Sequence, residues 1–479
     1  MITKLEKILS DDRSHPFATA VEKCGFKEHG YVEEEYFMYG TANIYDADGD
    51  ENVSVLYPDA PYVNRFLVRR PEDVSKFSGR VVIEILNATA LIDLDRIWVN
   101  SWKYFMRHGD IYIGITSKPD VVPALKAFDP VRYEKISWPN PGPERGIPEN
   151  PTFLSMDPET ETGLFWDMLL DLTKLLRKGN LLTGYRPFKV YLAAWSQSVS
   201  YMIRILKSFA GLPQNRDHGF LYDGYFHAGA GTGIAPINLY SYGKYDNLKN
   251  SGGRGRGGFF YNPQASVIGA PVPYIAVNTE SENMDVNWAG DSDEPGGLFR
   301  AYEIPGSTHD SAYNLLDYYK DDKDTDKINR TPKYWATDEF PNNYPYEVIF
   351  NAAFEHLYRW SDGIPAPHAP RILKDGSRCN LTDAFGNALG GIRTAAIDYP
   401  VARYCNYSTL KDGRKHTLFG HIEKFSASFL KELYGSLDHY RELVTAHTRR
   451  MVALGFILKE DAGEFINLLV SRAASQGLL

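Results

Sequence analysis

The sequence of 479 residues has little cysteine and no long apolar run. Its three cysteines, Cys24, Cys379 and Cys405, are too few and too scattered for a disulfide framework or a zinc site, so free thiols and no metal are expected. No stretch approaches the roughly 18–20 consecutive apolar residues that a membrane span needs. The first 20 residues also lack the apolar segment of a signal peptide. These absences predict a cytoplasmic protein without a membrane partner.

An excess of basic charge is also lacking, since 61 acidic residues outnumber 52 basic ones and the formal net charge is −9. Duplex binding draws its affinity from lysine and arginine on phosphates, so no nucleic-acid partner is expected. Residues 251–260 (SGGRGRGGFF) resemble an RGG tract, but a single copy in an acidic chain favours a glycine-rich insertion loop. The acidic segment at residues 46–52 suggests a calcium loop, but it lacks the glycine at the sixth loop position and the glutamate at the twelfth that such a loop requires, which favours a β-turn between two strands.

What the sequence does contain is a short apolar run, a serine and a helical pattern in direct succession over residues 188–206. This is the layout of a nucleophile elbow, in which a serine sits in a strained turn at the carboxyl end of a strand. The positions two before and two after that serine must be small, and Ala194 and Ser198 meet this demand around Ser196. The pattern therefore predicts Ser196 as a nucleophile.

Downstream residues complete the order serine, acid, histidine that is typical of α/β-hydrolases. Residues 273–279 have the pattern of a buried strand that opens onto Glu280 and Glu282. A second short strand begins at residue 301 and leads through a glycine turn to His309. We expect His309 to be the base, with His227, which follows the preceding core strand, as its nearest rival.

Several motifs in matching order cover nearly the whole chain. They are Glu-Tyr-Phe…Gly-Thr-Ala-Asn-Ile-Tyr (35–45), Val-Val-Ile-Glu-Ile-Leu-Asn (81–87), Asp-Pro-Val-Arg-Tyr (129–133), Trp-Ser-Gln-Ser (195–198), Thr-Glu-Ser-Glu (279–282), Gly-Ser-Thr-His-Asp (306–310) and Asp-Ala-Phe-Gly-Asn-Ala-Leu-Gly-Gly-Ile-Arg (383–393). On these motifs the chain resembles the large bacterial and fungal α/β-hydrolase domain proteins, a family of carboxylic-ester hydrolases. The resemblance implies an α/β-hydrolase fold and cleavage of an ester.

The acid of the triad stays open between two glutamates. Glu282 stands where the family pattern places its acid, although that acid is more often Asp, so the resemblance favours Glu282. Glu280 remains the alternative acid, or a residue that braces a loop. Asp285 is a more remote candidate.

The expected chemistry needs no metal or cofactor. Serine is a poor nucleophile, so a histidine must take its proton, and a carboxylate must orient that histidine. The oxyanion requires backbone N–H donors, which we expect from Gln197 and from the loop near Ala88 or Thr89. A small-molecule ester is the predicted substrate. Acyl transfer, lactone cleavage and amide cleavage are alternatives for the same triad, and a non-catalytic binding protein is a third hypothesis.

Alternating strand and helix patterns predict a single domain over residues 1–479, built on a mostly parallel, doubly wound sheet. The core is expected over residues 31–310 and a cap insertion over 225–270. A long helical elaboration is expected over residues 311–479, with helical periodicity in 346–360, 418–433, 439–454 and 462–473. The glycine-rich segment 383–393 belongs to this tail. Its Arg393 is a candidate for the substrate pocket, with a purely structural loop as the alternative.

Overall fold

The computed structural model describes residues 1–48, 52–145, 157–216, 219–240, 270–283, 290–332, 337–377 and 379–479. The chain divides into two compact units, of which the first comprises residues 1–272 with 321–331 and the second 273–320 with 332–479. Most of the predicted cap (241–269 of 225–270), the RGG-like tract and Asp285 lie outside the described residues. The predicted turn at 46–52 is also described only at its two ends.

A mixed sheet with the order β1-β2-β3-β5-β4-β6-β7 forms the centre of the first unit. The pairs from β1 to β5 are antiparallel, whereas β5, β4, β6 and β7 pair in parallel, which confirms the predicted parallel arrangement. The elements are β1 (Ile2–Ile8), α1 (Phe26–His29), β2 (Tyr31–Asp48), β3 (Asn52–Pro71), β4 (Arg80–Ile85), α2 (Arg96–His108), β5 (Ile111–Ile115), α3 (Val122–Phe128), α4 (Phe165–Arg177), β6 (Lys189–Trp195), α5 (Gln197–Arg204) and β7 (Gly224–Ala228).

The parallel strands are short, rich in valine and isoleucine, and buried along almost their whole length, as strands covered on both faces must be. One acid interrupts this apolar pattern. Glu84 of β4 is fully buried, and its carboxyl oxygens accept the N–H groups of Ile97 (2.9 Å) and Trp98 (3.2 Å) in the first turn of α2. Tyr112 donates a third hydrogen bond to it at 2.7 Å. Glu84 therefore satisfies a helix N-terminus from within the sheet.

The second unit contains a parallel pair, β8 and β9, and a small antiparallel sheet with the order β10-β14-β11. Helices recur through its carboxyl-terminal part, as predicted. Its elements are β8 (Tyr274–Thr279), α6 (Glu280–Asn283), β9 (Phe299–Ile304), β10 (Phe340–Pro341), α8 (Glu347–Ser361), α9 (Ala395–Asp398), β11 (Ala402–Cys405), β12 (Ser408–Thr409), β13 (Lys415–His416), β14 (His421–Lys424), α10 (Ala427–Tyr434), α11 (Leu437–Ala453) and α12 (Lys459–Ser475), while α7 (Lys323–Lys327) belongs to the first unit.

Two predicted elements were misplaced. The core strand expected before His227 instead contains it, since β7 covers Gly224–Ala228. The helix expected over 418–433 begins only at Ala427, behind Ser426, whose hydroxyl accepts the Phe429 N–H at 3.2 Å as an N-cap. The residues before it form β14, because pairing with β11 overrides their helical periodicity. Among the described residues, no helix combines the length and apolarity that crossing a membrane requires.

Candidate active site

Ser196 occupies the turn between β6 and α5. Its backbone angles are φ 56° and ψ −128°, and residues other than glycine rarely adopt a positive φ. The turn is held because the Ser196 N–H donates to the Ala228 carbonyl of β7 at 2.9 Å. Such strain persists only where the surrounding structure enforces it, and it is concentrated at functional sites. The predicted layout of strand, tight turn and helix is therefore present.

The neighbouring serines differ from Ser196 in what their hydroxyls do. Ser198 Oγ donates to the Leu86 carbonyl at 3.1 Å, and Ser200 Oγ donates to the Gln197 carbonyl at 2.7 Å. Both residues are buried, whereas Ser196 is partly exposed. Within the described part of the first unit, the Ser196 hydroxyl has no hydrogen-bond acceptor. Of the three hydroxyls, only that of Ser196 does not donate to a backbone carbonyl in the described part of the first unit.

Asn87, directly after β4, ties the following loop to the elbow. Its Nδ2 donates to the Trp195 carbonyl at 3.0 Å, and its Oδ1 accepts the Thr89 N–H at 2.9 Å. The backbone of Asn87 also pairs with that of Leu94 in both directions, which closes the loop. Ala88 and Thr89 were the two predicted sources of this oxyanion donor. The Thr89 N–H is already bonded, whereas the Ala88 N–H has no acceptor in the described part of the first unit.

Gln197 makes a second link between these segments. As the first residue of α5 its N–H has no acceptor inside the helix, which suits a donor to an external oxygen. Its side-chain Nε2 donates to Thr89 Oγ1 at 2.9 Å. The loop that carries Ala88 and Thr89 is therefore joined to the elbow by the side chains of Asn87 and Gln197.

A lysine lies fully buried beneath the elbow. Lys118 Nζ donates to Ser117 Oγ at 2.8 Å and to Ser198 Oγ at 3.3 Å, and it lies 4.2 Å from the centre of the Tyr201 ring. Burial lowers the pKa of Lys118 to about 7. Neither Lys118 nor Asn87 was singled out from the sequence. Asn87 is the last residue of the motif at 81–87, for which the resemblance gave no role. A single lysine has no characteristic spacing by which the sequence could indicate Lys118.

In the second unit, His309 and Glu282 lie together. The distance from His309 Nδ1 to Glu282 Oε1 is 2.6 Å. The second carboxylate oxygen of Glu282 accepts both the Thr279 N–H (2.9 Å) and the Thr279 hydroxyl (2.6 Å), which fixes the carboxylate. The His309 N–H donates to Ser281 Oγ at 3.3 Å. The imidazole is therefore oriented through its Nδ1.

Glu280 holds the turn that follows β9. Its carboxylate accepts the Gly306 N–H at 2.6 Å and a hydrogen bond from Asn380 Nδ2 at 2.9 Å, and burial raises its pKa. Gly306 has φ +77°, and a Cβ there would lie 2.4 Å from Ile397 Cδ1, so this position requires glycine. Glu280 thus braces the segment that carries His309, whereas Glu282 contacts the imidazole itself.

The remaining candidates have structural partners. Arg393 donates to Asp383 at 2.8 Å and to Asp398 at 2.6 Å, and also to the Ala388 carbonyl, all within its own loop region. Its place in a substrate pocket stays a prediction. His227 is fully buried in β7, where its Nε2 lies 2.8 Å from the Ala230 carbonyl and burial lowers its pKa to about 4.

The site residues are thus distributed over both units. Ala88, Ser196 and Gln197 belong to the first unit, and Glu280, Glu282, His309 and Arg393 belong to the second. Within the first unit the loop after β4 and the elbow are joined. Within the second, His309 and Glu282 form a hydrogen-bonded acid–base pair.

A family model described as "Alpha/beta hydrolase domain" matches residues 5–467 of the chain. No curated protein sequence matches it. Among solved structures, the chain is similar to esterase Est22 at 13% identity, with 66% of this chain and 83% of that chain covered and a TM-score of 0.32. It is also similar to fungal esterases from Rhizomucor miehei (9% identity, 67% and 90% covered, TM-score 0.30) and to the siderophore hydrolase EstA from Aspergillus nidulans (12%, 57% and 87%, TM-score 0.27). At these TM-scores the structural similarities carry no argument about function.

Proposed function

Because the chain belongs to the alpha/beta hydrolase domain family, we propose that it cleaves a carboxylic ester of a small molecule through an acyl-enzyme on Ser196. In this proposal His309 is the general base and acid, and Glu282 orients it. The observation that carries the proposal is the 2.6 Å hydrogen bond between His309 Nδ1 and Glu282 Oε1. A carboxylate on Nδ1 holds the proton on that nitrogen, so that Nε2 has the lone pair a general base needs.

The reaction divides into two displacements of the same form. Ser196 Oγ forms a bond to the acyl carbon while His309 Nε2 takes its proton, and the carbonyl oxygen becomes an oxyanion. The C–O bond to the alcohol then breaks, and the imidazolium gives its proton to the departing alkoxide. Water attacks the acyl-enzyme in the same way, and Ser196 is restored with its proton. Glu282 stabilises the positive charge that His309 carries in both steps.

The oxyanion is assigned to the backbone N–H groups of Gln197 and Ala88. Two features of the first unit support this assignment. The N–H of Gln197 is at the first position of a helix, where the helix dipole favours negative charge. The loop that carries Ala88 is tied to Trp195 through Asn87, which limits how far this donor can move from the elbow. Preorganised donors of this kind are the usual source of a large share of the rate.

A panel of p-nitrophenyl esters of increasing acyl length tests the proposal on the purified protein. Ser196→Ala should lower hydrolysis by several orders of magnitude, because the triad acts as a unit. Ser200→Ala is the matched control, since its hydroxyl donates to the Gln197 carbonyl and its loss should leave turnover within a few-fold. Labelling by a fluorophosphonate probe should disappear in Ser196→Ala alone.

The alternative hypotheses give different results in the same experiments. A non-catalytic binding protein would hydrolyse no ester and would not react with the fluorophosphonate. Acyl transfer would give a product ester or amide when an alcohol or amine is added, at a rate above that of hydrolysis. Loss of activity in Ser200→Ala with retention in Ser196→Ala would mean that the nucleophile has been misassigned.

A further inference from the structure

One face of the small sheet β10-β14-β11 carries a thiol, an imidazole and a carboxylate. Cys405 of β11 is directly opposite His421 of β14 in the antiparallel register, and Glu423 is two residues further along β14. Opposite residues, and residues two apart, project from the same face of a sheet. The three side chains offer one ligand atom each, and these atoms lie within 4.8 Å of one another.

The imidazole of His421 is oriented as metal-bound histidines are. Its Nδ1 lies 2.7 Å from the Tyr407 carbonyl, which can only accept, so Nδ1 carries the proton. The other ring nitrogen, Nε2, lies 3.6 Å from Glu423 Oε1 and is the atom that faces the other two side chains. A backbone carbonyl on the far ring nitrogen is the usual outer partner of a histidine that binds a metal, because it sets both the tautomer and the ring orientation.

Glu423 is also oriented. Its Oε2 pairs with Arg403 at 3.3 Å, which leaves Oε1 on the side of His421. Cys405 and His421 are buried, whereas the Glu423 side chain is 53% exposed, so an ion can enter from solvent past this carboxylate. Bonds of about 2.0–2.3 Å around a tetrahedral ion separate ligand atoms by about 3.6 Å, so ligand atoms that already lie within 4.8 Å of one another need only small shifts to close the site.

We propose that Cys405, His421 and Glu423 bind one divalent transition-metal ion of the zinc class. A thiolate and an imidazole favour zinc or cobalt over magnesium and calcium, which prefer oxygen ligands. On binding, the Cys405 S–H bond breaks, its proton passes to solvent and the sulfur forms a bond to the metal, with no change in oxidation state. Three protein ligands leave one position of a tetrahedral ion for water.

The site adjoins the segment that carries His309. The Asp310 N–H donates to the Leu418 carbonyl at 2.9 Å, three residues before His421. Ser281 Oγ donates to the Asn406 carbonyl, next to Cys405, at 3.3 Å. A metal that joins β11 to β14 would therefore stabilise the part of the second unit on which the His309–Glu282 pair depends. The proposed metal site does not depend on the proposed esterase function.

Cobalt titration of the full chain, first stripped with a chelator, tests the site. A thiolate ligand gives Co²⁺ an intense charge-transfer absorption that oxygen and nitrogen ligands do not give. We expect this band to saturate at one Co²⁺ per chain, to be displaced by Zn²⁺ and to persist in excess Mg²⁺. The same metals should raise the midpoint of thermal unfolding, because they bind only the folded chain.

Three variants separate this site from adventitious binding. Cys405→Ser should abolish the charge-transfer band, whereas Cys379→Ser, which changes an exposed cysteine elsewhere, should keep it. Glu423→Gln alters only an exposed side chain and should weaken Co²⁺ affinity at least tenfold in a folded protein, so it decides the matter if Cys405→Ser does not fold. An absent band in the wild-type protein, an unchanged band in Cys405→Ser, or unchanged affinity in Glu423→Gln would overturn the proposal.

Discussion

Exchange of Glu282 for glutamine tests the proposed acid, and the structure predicts how the amide would settle. Glu282 Oε2 accepts two hydrogen bonds from Thr279, so only the amide oxygen can take that position. The amide NH₂ must then face His309 Nδ1, where Oε1 now lies at 2.6 Å. An NH₂ group donates, so Nδ1 becomes the acceptor and the imidazole proton moves to Nε2. This tautomer cannot take a proton from serine.

The loss should be large because both the tautomer and the charge are wrong. The corresponding change in a serine protease triad lowers kcat about ten-thousand-fold, which corresponds to about 5.5 kcal/mol of transition-state stabilisation. We expect a loss of about the same size here, measured as kcat on the best p-nitrophenyl ester. The midpoint of thermal unfolding should change little, since the amide keeps the two hydrogen bonds from Thr279.

Glu280→Gln is the matched control on the same helical turn. Its new amide oxygen can still accept the Gly306 N–H, and its NH₂ can donate to Asn380 Oδ1, which has no hydrogen-bond partner in the part of the chain that the structure describes. We expect kcat within a few-fold of wild type. Glu282 would not be the acid of the triad if Glu282→Gln kept more than a tenth of the activity, or if a folded Glu280→Gln lost a thousand-fold.

Three further predictions concern the surroundings of these residues. Asn87→Ala removes the hydrogen bond from the loop to the Trp195 carbonyl and the bond that holds the Thr89 N–H, but keeps the Gln197–Thr89 link, so steady-state kinetics should show kcat reduced about 10–100-fold with little change in KM. An unchanged kcat would mean that Asn87 does not position the oxyanion donors. Burial raises the pKa of Glu84 from 4.5 to about 8, so between these pH values the unfolded chain has lost the Glu84 proton while the folded chain still holds it. The contribution of Glu84 to the free energy of unfolding therefore falls as pH rises through this range. Urea unfolding at pH 5 and pH 8 should therefore show a smaller loss of stability in Glu84→Gln than in wild type, and equal losses would contradict the assignment. Gly306→Ala places a Cβ against Ile397 at a residue with positive φ, so it should lower the midpoint of thermal unfolding by several degrees. Gly413 also has positive φ but has open space around it, so Gly413→Ala should lower the midpoint less.

Features encoded within a few consecutive residues could be predicted from the sequence. The strand, turn and helix around Ser196 follow from an apolar run, small flanking residues and helical spacing, all of which act locally. The strand and glycine turn before His309 were found in the same way. The order of these segments along the chain was enough to indicate the fold class, because alternating strands and helices have few ways to pack.

Features that depend on which residues meet across the chain were decided only by the tertiary structure. Glu280 and Glu282 are two residues apart on the helical turn α6, so their side chains leave in different directions, and only the folded turn shows which one meets His309. The contact between Asn87 and Trp195 joins residues more than a hundred positions apart and has no local pattern. Residues 418–424 had helical periodicity, yet pairing with β11 made part of them a strand and placed His421 opposite Cys405. Local periodicity reports how one segment could fold, whereas strand register and side-chain partners depend on segments that the local pattern does not contain.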